Sequence, residues 1–217
     1  MTDFAARRRM MVDTQVRPSD VTKFPIIDAM LRLPREDFVP SDLVEAAYVG
    51  ENLALAPDRV LLEPRTLAKM LDALIVTDND LVLDIGCATG YSSALLADMA
   101  QAVIAVEEDE NLAAEARSVL SKLDVATVVL TQGALRDGAP DHAPYDAMLL
   151  QGGVEEFPQT LTDQLREDGR VTCLFMEGAL GVVRLGIKQG GHIAWRDIFN
   201  ASAPVLPGFN KKKAFSL

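Results

Sequence analysis

Two carboxylates and one five-residue turn are the parts of this sequence best placed to handle a ligand. The turn, Gly86-Cys87-Ala88-Thr89-Gly90, directly follows the apolar run Leu81-Val82-Leu83-Asp84-Ile85 and opens a helical stretch at Tyr91. Glycines at such a junction let the backbone turn tightly and approach a ligand, and the helix start adds unpaired N–H groups. Dinucleotide sites use Gly-x-Gly-x-x-Gly. Here Ala88 replaces the middle glycine, and no Gly-Lys-Ser/Thr phosphate clamp is present. A diphosphate cradle is poorly supported. Asp84 and the loop instead suit a charged amino acid joined to a ribose, as in a cofactor without phosphates. Glu107 ends the next apolar run and stands 21 positions after Gly86 (107 less 86), where a carboxylate can accept both ribose hydroxyls. The plainer alternative is an ordinary strand–helix turn, with Glu107-Glu108-Asp109-Glu110 serving only to cap the following helix.

Further candidates lie after the next two apolar runs. No Asp or Asn adjoins Gly133 in Thr131-Gln132-Gly133-Ala134-Leu135, so a ring would be read there by backbone groups or by packing of Leu135. Gln151-Gly152-Gly153 falls at the carboxyl edge where ligands of open α/β sheets bind. Its glycines serve either a ligand or the relief of crowding. Cys87 is a candidate thiol at a helix start, or a small side chain filling space. Trp195 and Phe199 read as packing residues, His142 as a loop residue, and Lys211-Lys212-Lys213 is too short a basic run to argue for RNA binding.

Alternating periodicities supply the elements that must hold these groups. Residues 4–17 and 20–33 read as helices, the second capped by Pro18-Ser19-Asp20, with a short third helix after Pro40-Ser41-Asp42. Tyr48–Pro64 reads as irregular, and a connection that long is usually functional. Arg65–Leu74 presents Leu67, Met70, Leu71 and Leu74 on one helical face. Strands at 81–85, 102–106, 127–130, 146–150 and 170–175 then alternate with helices at 91–99, 112–123 and 157–165. A hairpin, 182–188 with 192–199, turns at Gln189-Gly190-Gly191. This order predicts an α/β, Rossmann-like, doubly wound and mostly parallel sheet of about seven strands, with a C-terminal antiparallel hairpin. Residues 1–64 are expected to form an N-terminal helical extension and substrate-side loop, and 65–217 the core with its hairpin and tail.

Composition narrows the function classes. With 217 residues, 49% apolar and 24% charged, the chain can bury roughly 70% of its unfolded surface in one core. Two cysteines without a CxxC pair and two histidines argue against a cysteine-ligated or three-histidine metal site, so no metal is expected. A net charge of -11 disfavours nucleic acid as a partner. No apolar run is long enough to span a bilayer and no export signal is legible, so a cytoplasmic location and no membrane contact are expected.

The chain resembles the protein-L-isoaspartate O-methyltransferase family over roughly residues 10–200. The resemblance is carried by Leu33-Pro34-Arg35-Glu36-Asp37-Phe38-Val39-Pro40, by Val82 through Ser92, by Ala143-Pro144-Tyr145-Asp146-Ala147, and by Gln164-Leu165 with Gly169. It implies S-adenosyl-L-methionine as cofactor, with Glu107 on its ribose and Asp84, Gly86, Cys87, Ala88 and Gly90 near its methionine part. Gly133, Ala134, Leu135 and Gln151 complete the implied set. It also implies an acceptor carboxylate on an isoaspartyl residue of a damaged protein or peptide, and hence protein repair.

The sequence departs from the family on the substrate side. The family's Thr-Ile-Ser-Gln-Pro segment aligns with Val60-Leu61-Leu62-Glu63-Pro64, so both hydroxyls are lost and a carboxylate replaces the glutamine. Arg65 takes the place of an aromatic residue, and the family's Gly-Asp-Gly appears as Gly133-Ala134-Leu135. Val60 and Leu62 cannot hydrogen-bond an attacking carboxylate, and Glu63 would repel it. Methyl transfer from a sulfonium needs alignment more than acid–base chemistry, so a changed acceptor is easier to accept than lost chemistry. A methyltransferase with a different acceptor and a catalytically silent binding protein both stay open. On this alignment Leu62→Ser is expected to restore isoaspartyl turnover.

Overall fold

In the computed structural model of the chain, residues 3–211 are described. Lys212, Lys213 and the rest of the tail lie outside them. A seven-stranded sheet runs in the order β5 (Val128–Gln132), β4 (Ala102–Glu107), β3 (Leu81–Ile85), β6 (Tyr145–Val154), β7 (Leu165–Glu177), β8 (Leu180–Gln189), β9 (His192–Asn200). Pairings from β5 to β7 are parallel, and β7–β8 and β8–β9 are antiparallel. Successive strands are added outward from β3 through β4 to β5, and then on its other side from β6. The crevice between the carboxyl ends of β3 and β6 is therefore the topological switch point, where ligands of this architecture bind. Among the described residues, no helix is long and apolar enough to cross a membrane.

Period-two alternation along buried strands builds a core on each face. Val82, Val103, Ala147 and Leu149 face a cluster containing Met30 of α2 (Phe24–Arg32), Leu67, Met70 and Leu71 of α3 (Pro64–Leu74), and Leu95 of α4 (Tyr91–Ala97). Leu83, Ile104, Met148 and Leu150 face the other cluster, which includes Leu161 of α6 (Gln159–Gln164). Helix α5 (Glu110–Lys122) packs beside β4 and β5. It starts where Asp109 accepts hydrogen bonds from the Asn111 and Leu112 amides at 2.9 and 3.1 Å.

Four local expectations change. The helix expected over 20–33 begins only at Phe24, because Pro25 has no N–H to give and fits only in a first turn; Asp20 instead takes a left-handed conformation. The helix expected over 4–17 is α-helical from Phe4 to Met11 (α1), then passes through π and 3-10 turns to Ser19. The stretch read as irregular, 48–64, contains an antiparallel hairpin: β1 (Leu53–Ala56) and β2 (Arg59–Leu61) turn at Pro57-Asp58, with Asp58 at φ 57. The short third helix expected after Pro40-Ser41-Asp42 is only a 3-10 turn, Val44–Ala46.

The segment after β9 is part of the core. It crosses the end of β6, with Gly153 N–H donating to Pro204 O and Leu206 N–H to Gly153 O, both at 2.8 Å. Leu206 and Phe209 are fully buried in the second cluster. This crossing explains Gly152-Gly153: a Cβ on Gly152 would stand 2.6 Å from Leu206 Cδ2, and one on Gly153 3.0 Å from Ala203 O. Steric relief is thus the visible role of these glycines. Phe209→Ala is expected to lower stability by about 3–5 kcal/mol. A urea midpoint close to that of the wild type would show that the segment is not anchored.

Candidate functional site

The turn after β3 is held from below by the N-terminal segment. Thr89 Oγ1 donates to Phe38 O at 2.6 Å, and the Phe38 ring packs edge-on against Tyr91 at 5.2 Å. Arg35, fully buried, lays its guanidinium over the Tyr91 ring at 5.0 Å and donates to Ala47 O (2.7 Å) and Leu62 O (2.8 Å). One buried cation therefore ties the Leu33–Pro40 stretch, the 48–64 connection and the first turn of α4 together.

Within the turn, Gly86 and Gly90 have φ of 72 and 93, where glycine is at no disadvantage. Ala88 also has a positive φ, 51, which costs a residue with a Cβ about 1 kcal/mol or more. This conformation points the Ala88 N–H at Glu107 Oε2, 2.8 Å away. Glu107 lies at the carboxyl end of β4, paired to β3 through Val106↔Ile85. The two elements singled out by spacing are thus brought together.

Glu107 is fully buried and its acceptor capacity is used up. Oε1 accepts from Arg59 Nη1 at 2.5 Å, Glu108 N at 2.9 Å and Asp109 N at 3.0 Å, while Oε2 accepts from Arg59 Nη2 at 2.6 Å and Ala88 N at 2.8 Å. A carboxylate offers about four lone-pair sites, so five donors leave none free. Arg59 was not among the residues expected from sequence. The available signal was an arginine set directly before the apolar run Val60-Leu61-Leu62, where a buried strand obliges it to find a buried partner.

Leu135 and Leu206 close over the same turn. A Cβ on Gly86 would stand 3.2 Å from Arg59 Nη2, 3.3 Å from Leu206 Cδ2 and 3.5 Å from Leu135 Cδ1. Gly133 N–H donates to Glu107 O at 3.1 Å, Ala134 is exposed, and Gln151 is buried against Asp84. Cys87 is buried beside the turn, and burial pushes its thiol well above the usual range, which disfavours the thiolate and leaves it filling space there. Trp195 packs edge-on against Phe157 and Phe175, His142 is exposed, and Arg65 is half-exposed beside Phe199.

Asp84 points into the protein rather than into open space. Its Oδ2 accepts from Ser92 Oγ and Ser93 Oγ, each at 2.6 Å, and its Oδ1 from Gln151 Nε2 at 3.4 Å. Burial pushes its carboxyl up to about 6, against the pull of those three donors. Below about pH 4 the acid is protonated in both folded and unfolded chains. Between about pH 4 and 6 the unfolded chain ionises first, and above that the fold carries the full desolvation penalty, so this group costs about 3 kcal/mol as pH rises. The stability difference between Asp84→Asn and the wild type should therefore move in favour of the variant by about 2–3 kcal/mol between pH 4 and pH 7. Paired urea titrations would detect this, and a difference independent of pH would refute it.

Comparison with known proteins fits this geometry. The family model described as "Protein-L-isoaspartate(D-aspartate) O-methyltransferase (PCMT)" matches residues 7–192. A protein-L-isoaspartate O-methyltransferase of Koribacter versatilis is 33% identical over 193 residues, which cover 89% of this chain and 87% of that one. One from Syntrophus aciditrophicus is 36% identical over 171 residues, covering 79% and 78%. Among solved structures, a protein-L-isoaspartate O-methyltransferase superposes with a TM-score of 0.83 at 23% identity, over 93% of this chain and 66% of that one. A putative Plasmodium falciparum enzyme, solved in complex with S-adenosyl-L-homocysteine, superposes at 0.79 and 16% identity, over 95% and 99%. The fold and the length of the sequence match agree, and the chain belongs to the protein-L-isoaspartate(D-aspartate) O-methyltransferase family of S-adenosylmethionine-dependent methyltransferases.

Proposed function

We propose that this chain is an S-adenosylmethionine-dependent O-methyltransferase of the isoaspartyl type, acting on a carboxylate of a damaged protein or peptide. One juxtaposition supports the reading most: the Gly86–Gly90 turn lies against the Glu107 carboxylate through the Ala88 N–H, at the ends of adjacent strands next to the switch point. The chemistry of the donor set matches the cofactor, with Glu107 for ribose hydroxyls and Asp84 on the methionine side. The space does not. In this conformation the Arg59 and Leu206 side chains stand over Gly86, and Glu107 has no acceptor site left.

A second reading, with an acceptor other than a free carboxylate, is favoured by the substrate side. A cavity of about 560 Å³ opens between the 48–64 connection and the β8–β9 edge, bounded by Glu51, Asn52, Glu63, Asn200 and Ser202. Among the described residues, its lining contains two carboxylates and no lysine or arginine. Glu63 accepts from Thr66 Oγ1 at 2.6 Å, and its nearest cation, Arg65, is 3.7 Å away and half-exposed. An incoming anion would meet like charge there. Val60 is half-buried, and the Leu62 side chain is only 1% exposed, packed in the first core cluster. Serine at 62 would therefore remove packing rather than add a donor to a cleft.

The deciding experiment is transfer of labelled methyl from S-adenosylmethionine to an isoaspartyl peptide, read as base-labile ester. The isoaspartyl reading expects turnover that rises several-fold in Glu63→Gln, mainly through KM, because the amide keeps the Thr66 contact and drops the charge. Absence of ester in both proteins, with methylation of a neutral or amine acceptor, would transfer the assignment to the second reading. Leu62→Ser is expected to lose about 2–4 kcal/mol of stability without gaining activity.

A further inference from the structure

The position that a ribose takes on the carboxylate of such a cleft is held here by a side chain of the same protein. Arg59 is 3% exposed and Glu107 0%, and their two short hydrogen bonds form the parallel, bidentate pair that a guanidinium makes with a carboxylate. A vicinal diol offers the same two-pronged set of donors without the charge, so diol and guanidinium compete for one pair of oxygens. Leu206 supports the closure, standing over Gly86 with its backbone bonded to Gly153.

The two occupants differ in how firmly they are held. Leu206 shares a core with Phe209 and is anchored through the β6 crossing. Arg59 comes from a two-stranded sheet separate from the main one; Leu53 and Leu61 anchor that sheet at its base, while Ala54, Leu55, Ala56, Pro57, Asp58 and Val60 towards its turn are exposed or half-exposed. Its Nε is also buried with no hydrogen-bond partner among the described residues. A short hairpin with an exposed turn and one unmet donor is the part of this site most able to move. Without Arg59, Glu107 would keep three backbone donors, from Ala88, Glu108 and Asp109, so the carboxylate would not be stranded.

We infer that Arg59 is an intramolecular occupant of the ribose position, and that the β1–β2 hairpin must carry its guanidinium off Glu107 before the cofactor can bind. The inference rests on the proposed reading that this cleft takes S-adenosylmethionine. The apparent affinity is then the intrinsic one reduced by the fraction of open molecules. Because β2 leads directly to Glu63 at the substrate-side cavity, withdrawal of Arg59 would also move the wall of that cavity.

Calorimetric titration of the full chain with S-adenosylhomocysteine tests this, comparing wild type with Arg59→Ala, and with Arg59→Gln should the alanine variant fold poorly. A second readout is thiol labelling at Cys87, buried beside the turn, with buried Cys173 as internal control. The expected result is binding about tenfold or more tighter in the Arg59 variant, with faster labelling of Cys87 and unchanged labelling of Cys173. Equal dissociation constants for wild type and variant would overturn the occupant while leaving the methyltransferase reading in place. Absence of binding by folded wild type, Arg59 variants and Leu206→Ala alike would overturn both, since removing the occupants would then have opened nothing.

Discussion

A carboxylate buried without solvent must be surrounded by donors, and Glu107 imposes that demand on everything near it. Its five hydrogen bonds come from three separate places: the turn after β3 through Ala88, the start of α5 through Glu108 and Asp109, and the β1–β2 hairpin through Arg59. The left-handed backbone at Ala88 has a reason in this demand, since it presents the N–H that Glu107 takes up. The hairpin, too, is located by it, because Arg59 reaches the end of β4 only when β2 lies across the carboxyl edge of the sheet.

A second buried ion organises the opposite side of the turn. Arg35 has no carboxylate partner; two carbonyls and the face of Tyr91 take the place of one. Its bond to Leu62 O fixes the far end of the connection that begins at Tyr48, while Arg59 fixes its middle. The connection is therefore clamped at one end under the N-terminal segment and pinned to the cleft halfway along. Its Val60 and Glu63 positions lie between or beside these clamps. The carboxylate at 63 faces a cavity whose lining, among the described residues, holds no balancing cation.

The strand pattern of the core was legible from runs such as Leu81–Ile85 and Ala102–Val106, because a strand buried on both faces demands continuous apolar sequence. The Gly86–Gly90 turn and Glu107 could be paired on spacing alone, since a βαβ unit repeats with nearly constant length. The β1–β2 hairpin was missed because Pro57, Asp58 and Gly50 read as punctuation in a loop, and strands of four and three residues give too few alternations to register. Leu62 looked like a lost cleft hydroxyl when aligned by position, yet its side chain turns into the core, a direction that alignment does not encode.

The amino-acid sequence by itself determined the family, the chain order of the strands in the main sheet, and the presence of a glycine turn and an acid at successive strand ends. These follow from short-range periodicity and local backbone chemistry. Only the tertiary structure decided what stands in the cleft. Arg59 and Glu107 are 48 residues apart, and Leu206 meets Gly86 from the end of the chain. No local pattern specifies such meetings; they arise because a buried charge must be paired and a packed core leaves no void unfilled.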